Sequence, residues 1–196
     1  QNAANAMRQA WQDKNVVLLH GVTSSGKTEA YIHLIEEALQ KGKQVLYLVP
    51  EIALTTQLTE RLQAVFGSQL VVYHSRFSNA ERVEIYNEVR GERGDEKSKV
   101  ILGARSAIFL PFRDLGLIIV DEEHEPSYKQ QDPAPRYHAR SVAIVLAQMY
   151  GAKTLLGTAT PSMESYHNAK KDKYALVELK QRYKDIELPE INIVDI

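Results

Sequence analysis

The sequence predicts an α/β fold in which a mainly parallel central sheet carries helices on both faces. Short apolar runs rich in β-branched residues alternate with amphipathic stretches, the pattern of consecutive β-α-β units. The chain has 196 residues, 44% of them hydrophobic, enough for one large domain of this class. A glycine-rich segment follows the first apolar run, and adjacent carboxylates follow a later one. Parallel sheets bring such strand ends to one edge, where ligands bind.

The elements are assigned in chain order from the period of their apolar residues. Strands are predicted at 16–19, 45–49, 71–73, 100–102, 117–120 and 153–156. Helices are predicted at 27–40, 52–66, 79–90, 138–150 and 162–170, with segment 174–179 closing the domain. In the second helix Leu54, Leu58, Leu62 and Val65 are expected to share one face, and Ser78 or Asn79 to cap the third.

The remaining segments lack these periods. Residues 91–98 are polar and charged, which predicts an exposed mobile loop. Residues 125–137 hold three prolines and two tyrosines without periodicity, and long loops of this kind inside compact domains are usually functional. The start of the chain has helical character, segment 191–195 is strand-like, and both ends are expected to have been cut from a longer chain.

Bulk composition narrows the function. Lys and Arg number 24 against 25 Asp and Glu, a formal net charge of −1, so any contact with nucleic acid has to be local. The absence of cysteine excludes disulfides and Cys-ligated zinc from this sequence. No apolar run has the length of a membrane span or a secretory signal, so a cytoplasmic location without membrane contact is expected.

Residues 21–28 match the phosphate-loop pattern G-x-x-x-x-G-K-[ST] in full, between a predicted strand and a predicted helix. Backbone N–H groups of the loop would surround a β-phosphate at the helix N-terminus. Lys27 would contact the β- and γ-phosphates, and the Thr28 hydroxyl would bind Mg²⁺. The predicted nucleotide-binding residues are Gly21, Thr23, Ser24, Ser25, Gly26, Lys27, Thr28 and Glu29. The alternative is a glycine-rich turn that only caps a helix.

Four polar residues, Asp121-Glu122-Glu123-His124, directly follow a predicted buried strand. Asp121 is the expected magnesium partner, and Glu122 is placed to polarise an attacking water. With Lys27 these two form the predicted catalytic set. A solvated acidic turn is the alternative, and a metal cluster of Glu122, Glu123 and His124 is disfavoured because no ligand-spaced histidine lies nearby.

A third element lies at 155–161, where a predicted strand ends in small and hydroxyl residues before a proline. Thr158 and Thr160 would stand beside the strand that carries Asp121. Their hydroxyls could bond the acidic turn and report the nucleotide state to another surface. A simple turn before the helix at Ser162 explains the segment equally well, and His124 alone is more typical of a turn histidine bonded to backbone.

Taken in order, these three elements resemble motifs I, II and III of the superfamily 2 helicases, with DEEH as a variant of DEAD/DEAH. Residues 49–55 resemble motif Ia, residues 74–75 with 78–82 resemble motif Ib, and residues 103–109 resemble the next DNA-contacting turn. Residues 127–131 and 136–140 resemble the aromatic-rich loop of the bacterial primosomal replication-restart helicases. The resemblance runs from about Leu18 to Pro161.

This resemblance implies a RecA-like lobe that uses ATP and Mg²⁺ within a 3′–5′ DNA helicase acting at stalled forks. Implied partners are single-stranded and forked DNA, primosome and replisome proteins, and single-stranded DNA-binding protein; a monomer is expected. The implied single-strand path comprises Pro50, Thr55, His74, Ser75, Arg105 and Ser106. The implied coupling residues are His124, Tyr128, Lys129, Arg136, Tyr137, Thr158 and Thr160, with the tyrosines offering faces on which bases stack. Without the resemblance, Arg105 would be an ordinary surface arginine and the tyrosines half-buried anchors.

Residues 1–196 are therefore predicted to be a single RecA-like lobe. A helicase site lies between two such lobes, and the second supplies the arginine finger, so little hydrolysis is expected of this lobe alone. The second lobe, the zinc-binding region and the N-terminal DNA-binding domain of the family are expected to lie outside residues 1–196. Three alternatives stay open: another superfamily 2 translocase, a phosphate-loop small-molecule kinase, and a nucleotide-responsive binding module.

Overall fold

Seven parallel strands form one sheet in the computed structural model of the chain, which describes residues 2–22, 26–91 and 99–179. The strands are β1 (Val16–Gly21), β2 (Gln44–Leu48), β3 (Leu70–Tyr73), β4 (Val100–Gly103), β5 (Leu115–Asp121), β6 (Lys153–Thr158) and β7 (Ala175–Leu179). They lie in the order β3-β4-β2-β5-β6-β1-β7, and every neighbouring pair is parallel. The predicted parallel α/β architecture is confirmed.

Six helices cover the two faces of this sheet in the described ranges. They are α1 (Asn2–Asp13), α2 (Lys27–Gln40), α3 (Thr56–Phe66), α4 (Asn79–Arg90), α5 (Ala139–Tyr150) and α6 (Met163–Lys170). Alternate strand residues point to opposite faces, so each strand supplies two cores. In β1, Val17 and Leu19 belong to the core on the face that α1, α2 and α3 cover, whereas Val16 and Leu18 belong to the core on the opposite face, with residues of α4 and α5. Each described helix is too short or too polar to cross a bilayer.

The helix predicted at 52–66 is wrong at its start. A 3-10 turn spans Glu51–Ala53, and α3 begins only at Thr56 because the Thr55 hydroxyl caps it, accepting the Leu58 N–H at 3.3 Å. The predicted buried face is also shifted at its end. Val65, three residues after Leu62, is 44% exposed. Phe66, four residues after Leu62, is buried instead.

The cap of α4 is settled in favour of Ser78. Its hydroxyl accepts the Glu81 N–H at 3.3 Å, and the Glu81 carboxylate accepts the Ser78 N–H at 2.7 Å, which is a capping box. Gly91 ends the helix in the left-handed conformation, φ 74°. The rest of the loop predicted at 91–98, and the strand-like segment 191–195, lie outside the described residues.

Candidate functional site

Strand order brings the predicted site elements to one edge of the sheet. β6 lies between β1 and β5, and Gly157 of β6 is opposite both Leu19 of β1 and Asp121 of β5. The Lys27 ammonium donates to the Gly21 carbonyl at 3.1 Å and lies 3.4 Å from Glu122 Oε1. The phosphate-loop lysine and the acidic turn, far apart in sequence, are therefore in contact.

The N-terminus of α2 has no side-chain cap among the described residues. Gly26 caps it in the left-handed conformation, φ 80°, without a side-chain hydrogen bond, and a Cβ added there would meet no described atom within 4 Å. Helix N-terminal N–H groups that lack a side-chain acceptor are suited to a phosphate. Thr28 lies in this first turn, but Glu29 points its carboxylate to Arg61 of α3. Thr23, Ser24 and Ser25 lie outside the described residues, so their phosphate contacts stay predictions.

The Asp121 carboxylate is held by two tyrosines that the sequence did not indicate. Tyr31 of α2 donates to Oδ1 at 3.0 Å, and Tyr47 of β2 lies 3.4 Å from Oδ2. Burial, and after it the charge of Asp121, raise the pKa of both phenols well above the usual value, so both keep the proton that they donate. Burial and then the neighbouring Glu122 carboxylate raise the pKa of Asp121 to about 6, with the Tyr31 hydrogen bond and the Lys27 ammonium opposing that rise.

Oxygen donors of this kind fit magnesium in a nucleotide site. Such sites use one or two protein oxygens and complete the coordination with phosphates and water. Within the described ranges, no group of three or more His, Cys, Asp or Glu side chains could hold a metal ion. The hydroxyl of Thr28 and the carboxylate of Asp121 match the sparser donor set that Mg²⁺ takes when phosphates are present.

Glu122 stands in a conformation that side chains rarely adopt. Its φ is 46°, in the left-handed region, which costs a residue other than glycine about 1–2 kcal/mol. The side chain is 34% exposed and lies between Lys27 and His124, whose Nδ1 is 3.7 Å from Oε2. The turn thus presents one carboxylate to solvent beside the phosphate-loop lysine, where a water can reach it.

The predicted third element meets the acidic turn directly. His124 Nδ1 and the Thr158 hydroxyl are 2.7 Å apart, and His124 Nε2 is 3.3 Å from the Thr160 hydroxyl. The Thr160 N–H also donates to the Thr158 hydroxyl, at 3.1 Å. His124 is therefore bonded to hydroxyl groups of the third element, and the interpretation of a histidine bonded to backbone is wrong.

The buried position of Glu123 was not predicted from the sequence. Its side chain is fully buried, so a solvated acidic turn is the wrong interpretation for this carboxylate. Arg140 of α5 donates to Oε2 at 2.7 Å, Ser162 donates its N–H to Oε1 at 2.7 Å, and the Ser165 hydroxyl donates to Oε2 at 2.8 Å. Glu123 joins the acidic turn to the N-terminal ends of α5 and α6.

The loop after the acidic turn is anchored to it. Tyr128 is only 1% exposed, and its hydroxyl donates to the Asp121 carbonyl at 2.6 Å. Stacking of a base on Tyr128 is therefore contradicted, because its ring has no exposed face. Arg105 donates to the carbonyls of Ser127 and Lys129, both at 3.0 Å.

The outer part of this loop holds the other three predicted coupling residues, Lys129, Arg136 and Tyr137. Lys129 Nζ donates to the Arg136 carbonyl at 3.4 Å. Tyr137 lies edge-on against Phe109, with ring centroids 4.8 Å apart, and Phe109 is 58% exposed. This outer aromatic pair is nearer to solvent than Tyr128.

A cleft of about 500 Å³ lies beside this loop. Four predicted DNA-path residues line it: Pro50, Ser75, Arg105 and Ser106. Arg82 lines it as well and donates to the Ser75 carbonyl at 2.6 Å, while the Glu51 carboxylate accepts from the Ser75 hydroxyl. The two other predicted residues are not in the lining: the Thr55 side chain caps α3, and His74 stacks on Phe77 with centroids 4.0 Å apart.

A phosphate-loop lysine beside strand-end carboxylates, next to an arginine-lined cleft on a parallel sheet, is the arrangement of a P-loop helicase lobe. The family model of the DEAD/DEAH box helicases matches residues 1–169, and the chain belongs to this family. Among curated proteins it is similar to the replication restart protein PriA of Bacillus subtilis, with 48% identity over 93% of this chain and 22% of that protein. The PriA proteins of Rickettsia conorii and Haemophilus influenzae are each 49% identical, over 91% and 86% of this chain and 27% and 22% of theirs. The chain thus spans about a quarter of the length of these relatives.

Solved structures agree on the fold. A structure of RecG bound to a three-way DNA junction matches 95% of this chain and 24% of its own, with a TM-score of 0.64 and 19% identity. The Hef helicase domain of Pyrococcus furiosus matches 91% of this chain and 37% of its own, with a TM-score of 0.59 and 17% identity. At these identities the likeness concerns the fold alone, and it confirms the predicted RecA-like fold.

Proposed function

We propose that this chain is the first RecA-like lobe, spanning 1–196, of an ATP-dependent 3′–5′ DNA helicase that acts in replication restart. The contact between Lys27 and Glu122, 3.4 Å across the end of the sheet, carries the proposal, because it joins a phosphate-binding group to a candidate base for hydrolysis. Similarity to PriA proteins over most of the chain supports the choice of replication restart.

Mg-ATP would be held by residues of β1, α2 and β5. Lys27 and the N-terminus of α2 would bind the phosphates, and Thr28 and Asp121 would bind the metal ion. When bound, Mg²⁺ neutralises charge on the transferring phosphate. The Lys27 ammonium would turn from Glu122 toward the phosphates, which frees the carboxylate to orient a water and accept its proton.

DNA would occupy the cleft beside Arg105. Arginine and hydroxyl groups there suit phosphates. The loop beside the cleft is bonded to Arg105 through the Lys129 carbonyl and to the Asp121 carbonyl through the Tyr128 hydroxyl, so DNA bound in the cleft could shift Asp121. Single-stranded and forked DNA are the proposed substrates. Primosome proteins and single-stranded DNA-binding protein are proposed partners of the whole protein, and we propose a cytoplasmic monomer.

The test is ATP hydrolysis by the full-length protein that contains this chain, with and without single-stranded DNA. Lys27→Ala should abolish turnover, and Glu122→Gln should keep ATP binding while hydrolysis stops. The 196-residue chain alone should bind nucleotide weakly and hydrolyse little, because the partner lobe completes the site. Strong DNA-stimulated turnover by the chain alone, or phosphoryl transfer from ATP to a metabolite, would contradict the proposal.

A further inference from the structure

Two buried tyrosine hydroxyls converge on the carboxylate of Asp121. Tyr31 and Tyr47 are both fully buried, and their rings pack edge to face with centroids 5.6 Å apart. Tyr31 donates to Oδ1 at 3.0 Å, whereas Tyr47 lies 3.4 Å from Oδ2. Each carboxylate oxygen has two lone-pair directions, and each tyrosine hydroxyl takes up only one direction on its oxygen.

The sheet is shaped to admit the Tyr31 hydroxyl. A Cβ built on Gly157 would lie 1.8 Å from that hydroxyl oxygen and 2.9 Å from Cζ, so no larger residue fits while Tyr31 keeps its position. Gly157 is not in the left-handed region, and its missing side chain provides space, not conformational freedom. The Tyr31 hydroxyl therefore passes over β6 to Asp121 through the space left by the missing side chain of Gly157.

Tyr31 also lies one helical turn after Lys27. Residues four apart share a face of a helix, so the lysine proposed to bind phosphate and the tyrosine that holds Asp121 are fixed to each other by α2. Rotation about the last side-chain bond of an aspartate is otherwise broad, and two fixed donors remove that freedom.

We infer that Tyr31, assisted by Tyr47, is a positioning residue that sets the plane of the Asp121 carboxylate for the magnesium ion of the bound nucleotide. This inference rests on the proposed function and deepens it. Partners behind a metal ligand orient it, and their removal typically weakens metal binding by about 10–100-fold. A merely structural hydroxyl would affect stability and leave the dependence on magnesium unchanged.

The experiment is a magnesium titration of nucleotide binding in the full-length protein, with fluorescent ADP as the probe and a parallel series in EDTA. Tyr31→Phe removes one oxygen and keeps the ring. We expect the magnesium concentration for half-maximal effect to rise about tenfold, with affinity in EDTA unchanged. Tyr47→Phe should produce a smaller rise, because its contact is longer.

Tyr150→Phe is the matched control. It removes a tyrosine hydroxyl bonded at 2.7 Å to the Phe112 carbonyl, on α5 and away from the acidic turn, and should leave the magnesium dependence unchanged. Gly157→Ala provides a second route, since its methyl group displaces the Tyr31 hydroxyl while residue 31 stays a tyrosine. It should shift the magnesium dependence in the same direction as Tyr31→Phe.

Two results would overturn the inference separately from the proposed function. If Lys27→Ala abolishes nucleotide binding but Tyr31→Phe leaves the magnesium midpoint within about twofold of wild type, the tyrosine is only structural. An equal loss of affinity with and without magnesium in Tyr31→Phe would likewise exclude a role directed at the metal. If the wild-type protein binds no nucleotide in either series, the proposed function fails first, and the inference with it.

Discussion

Replacing Arg140 by Met should destabilise the domain strongly, because it leaves the Glu123 carboxylate buried without its cation. The Glu123 side chain is fully buried and that of Arg140 is 6% exposed. Removing one member of a buried pair costs about 3–5 kcal/mol, a large share of the roughly 5–15 kcal/mol that holds a domain folded. With a urea m-value of about 2 kcal/mol/M, a loss of about 4 kcal/mol lowers the unfolding midpoint by about 2 M.

Two further variants make this reasoning refutable. Glu164→Gln removes the other carboxylate that Arg140 contacts, but that side chain is 67% exposed, so the cost should be about 1 kcal/mol or less. The double variant Arg140→Met with Glu123→Gln should recover part of the loss, because no bare charge stays buried. Urea unfolding followed by circular dichroism measures all three. Equal midpoints for Arg140→Met and Glu164→Gln, or a double variant less stable than Arg140→Met, would refute the account.

Three other changes test separate features. Ser78→Ala should cost about 1 kcal/mol in urea unfolding, because the capping box with Glu81 is lost; an unchanged midpoint would show that the box is not needed. Gly26→Ala should cost about 1–2 kcal/mol through its φ of 80°, although the added methyl meets no atom of the described residues, and a stability equal to wild type would exclude this strain. His124→Ala in the full-length protein should lower DNA-stimulated ATP hydrolysis more than ATP affinity, because the bond to Thr158 is lost; equal losses of both would argue against a coupling role.

The positions of the strands and of the helix after the phosphate loop could be predicted from local sequence, whereas the start of α3 could not. The apolar run before Gly21 is short, begins with two valines and is closely followed by glycine, which favours a buried strand, and the predicted α2 matches the observed Lys27–Gln40 at both ends. At 52–66 the periodic apolar residues extended the predicted helix too far. Thr55 ends that extension, because its hydroxyl substitutes for a backbone acceptor and so makes a helix start at Thr56 more stable.

The chemistry of the acidic turn was predictable in part. The position of Asp121 and Glu122 near the phosphate loop could be predicted, because the strand end and the phosphate loop are each recognisable from a short local motif. Glu123 could not be interpreted in this way, since its partner Arg140 is set by tertiary packing. Tyr31 left a faint signal: a tyrosine one turn after the phosphate-loop lysine, and a glycine in strand β6 that marks a close approach.

The position of β1 in the sheet has a consequence for how the chain folds. β1 pairs with β6 and β7, so Val16 lies opposite Thr154 and Val17 opposite Ala175, after most of the chain has intervened. Contacts between residues so distant in sequence form slowly, because the entropy cost of closing a long loop comes before the contacts stabilise the structure. During synthesis, pairing is possible among β2, β3, β4 and β5 before the two neighbours of β1, β6 and β7, have been made. The phosphate loop begins where β1 ends, so its position is fixed only after β1 has paired with β6 and β7. Nucleotide binding would therefore become possible only late in folding, and its onset would indicate that the sheet is complete.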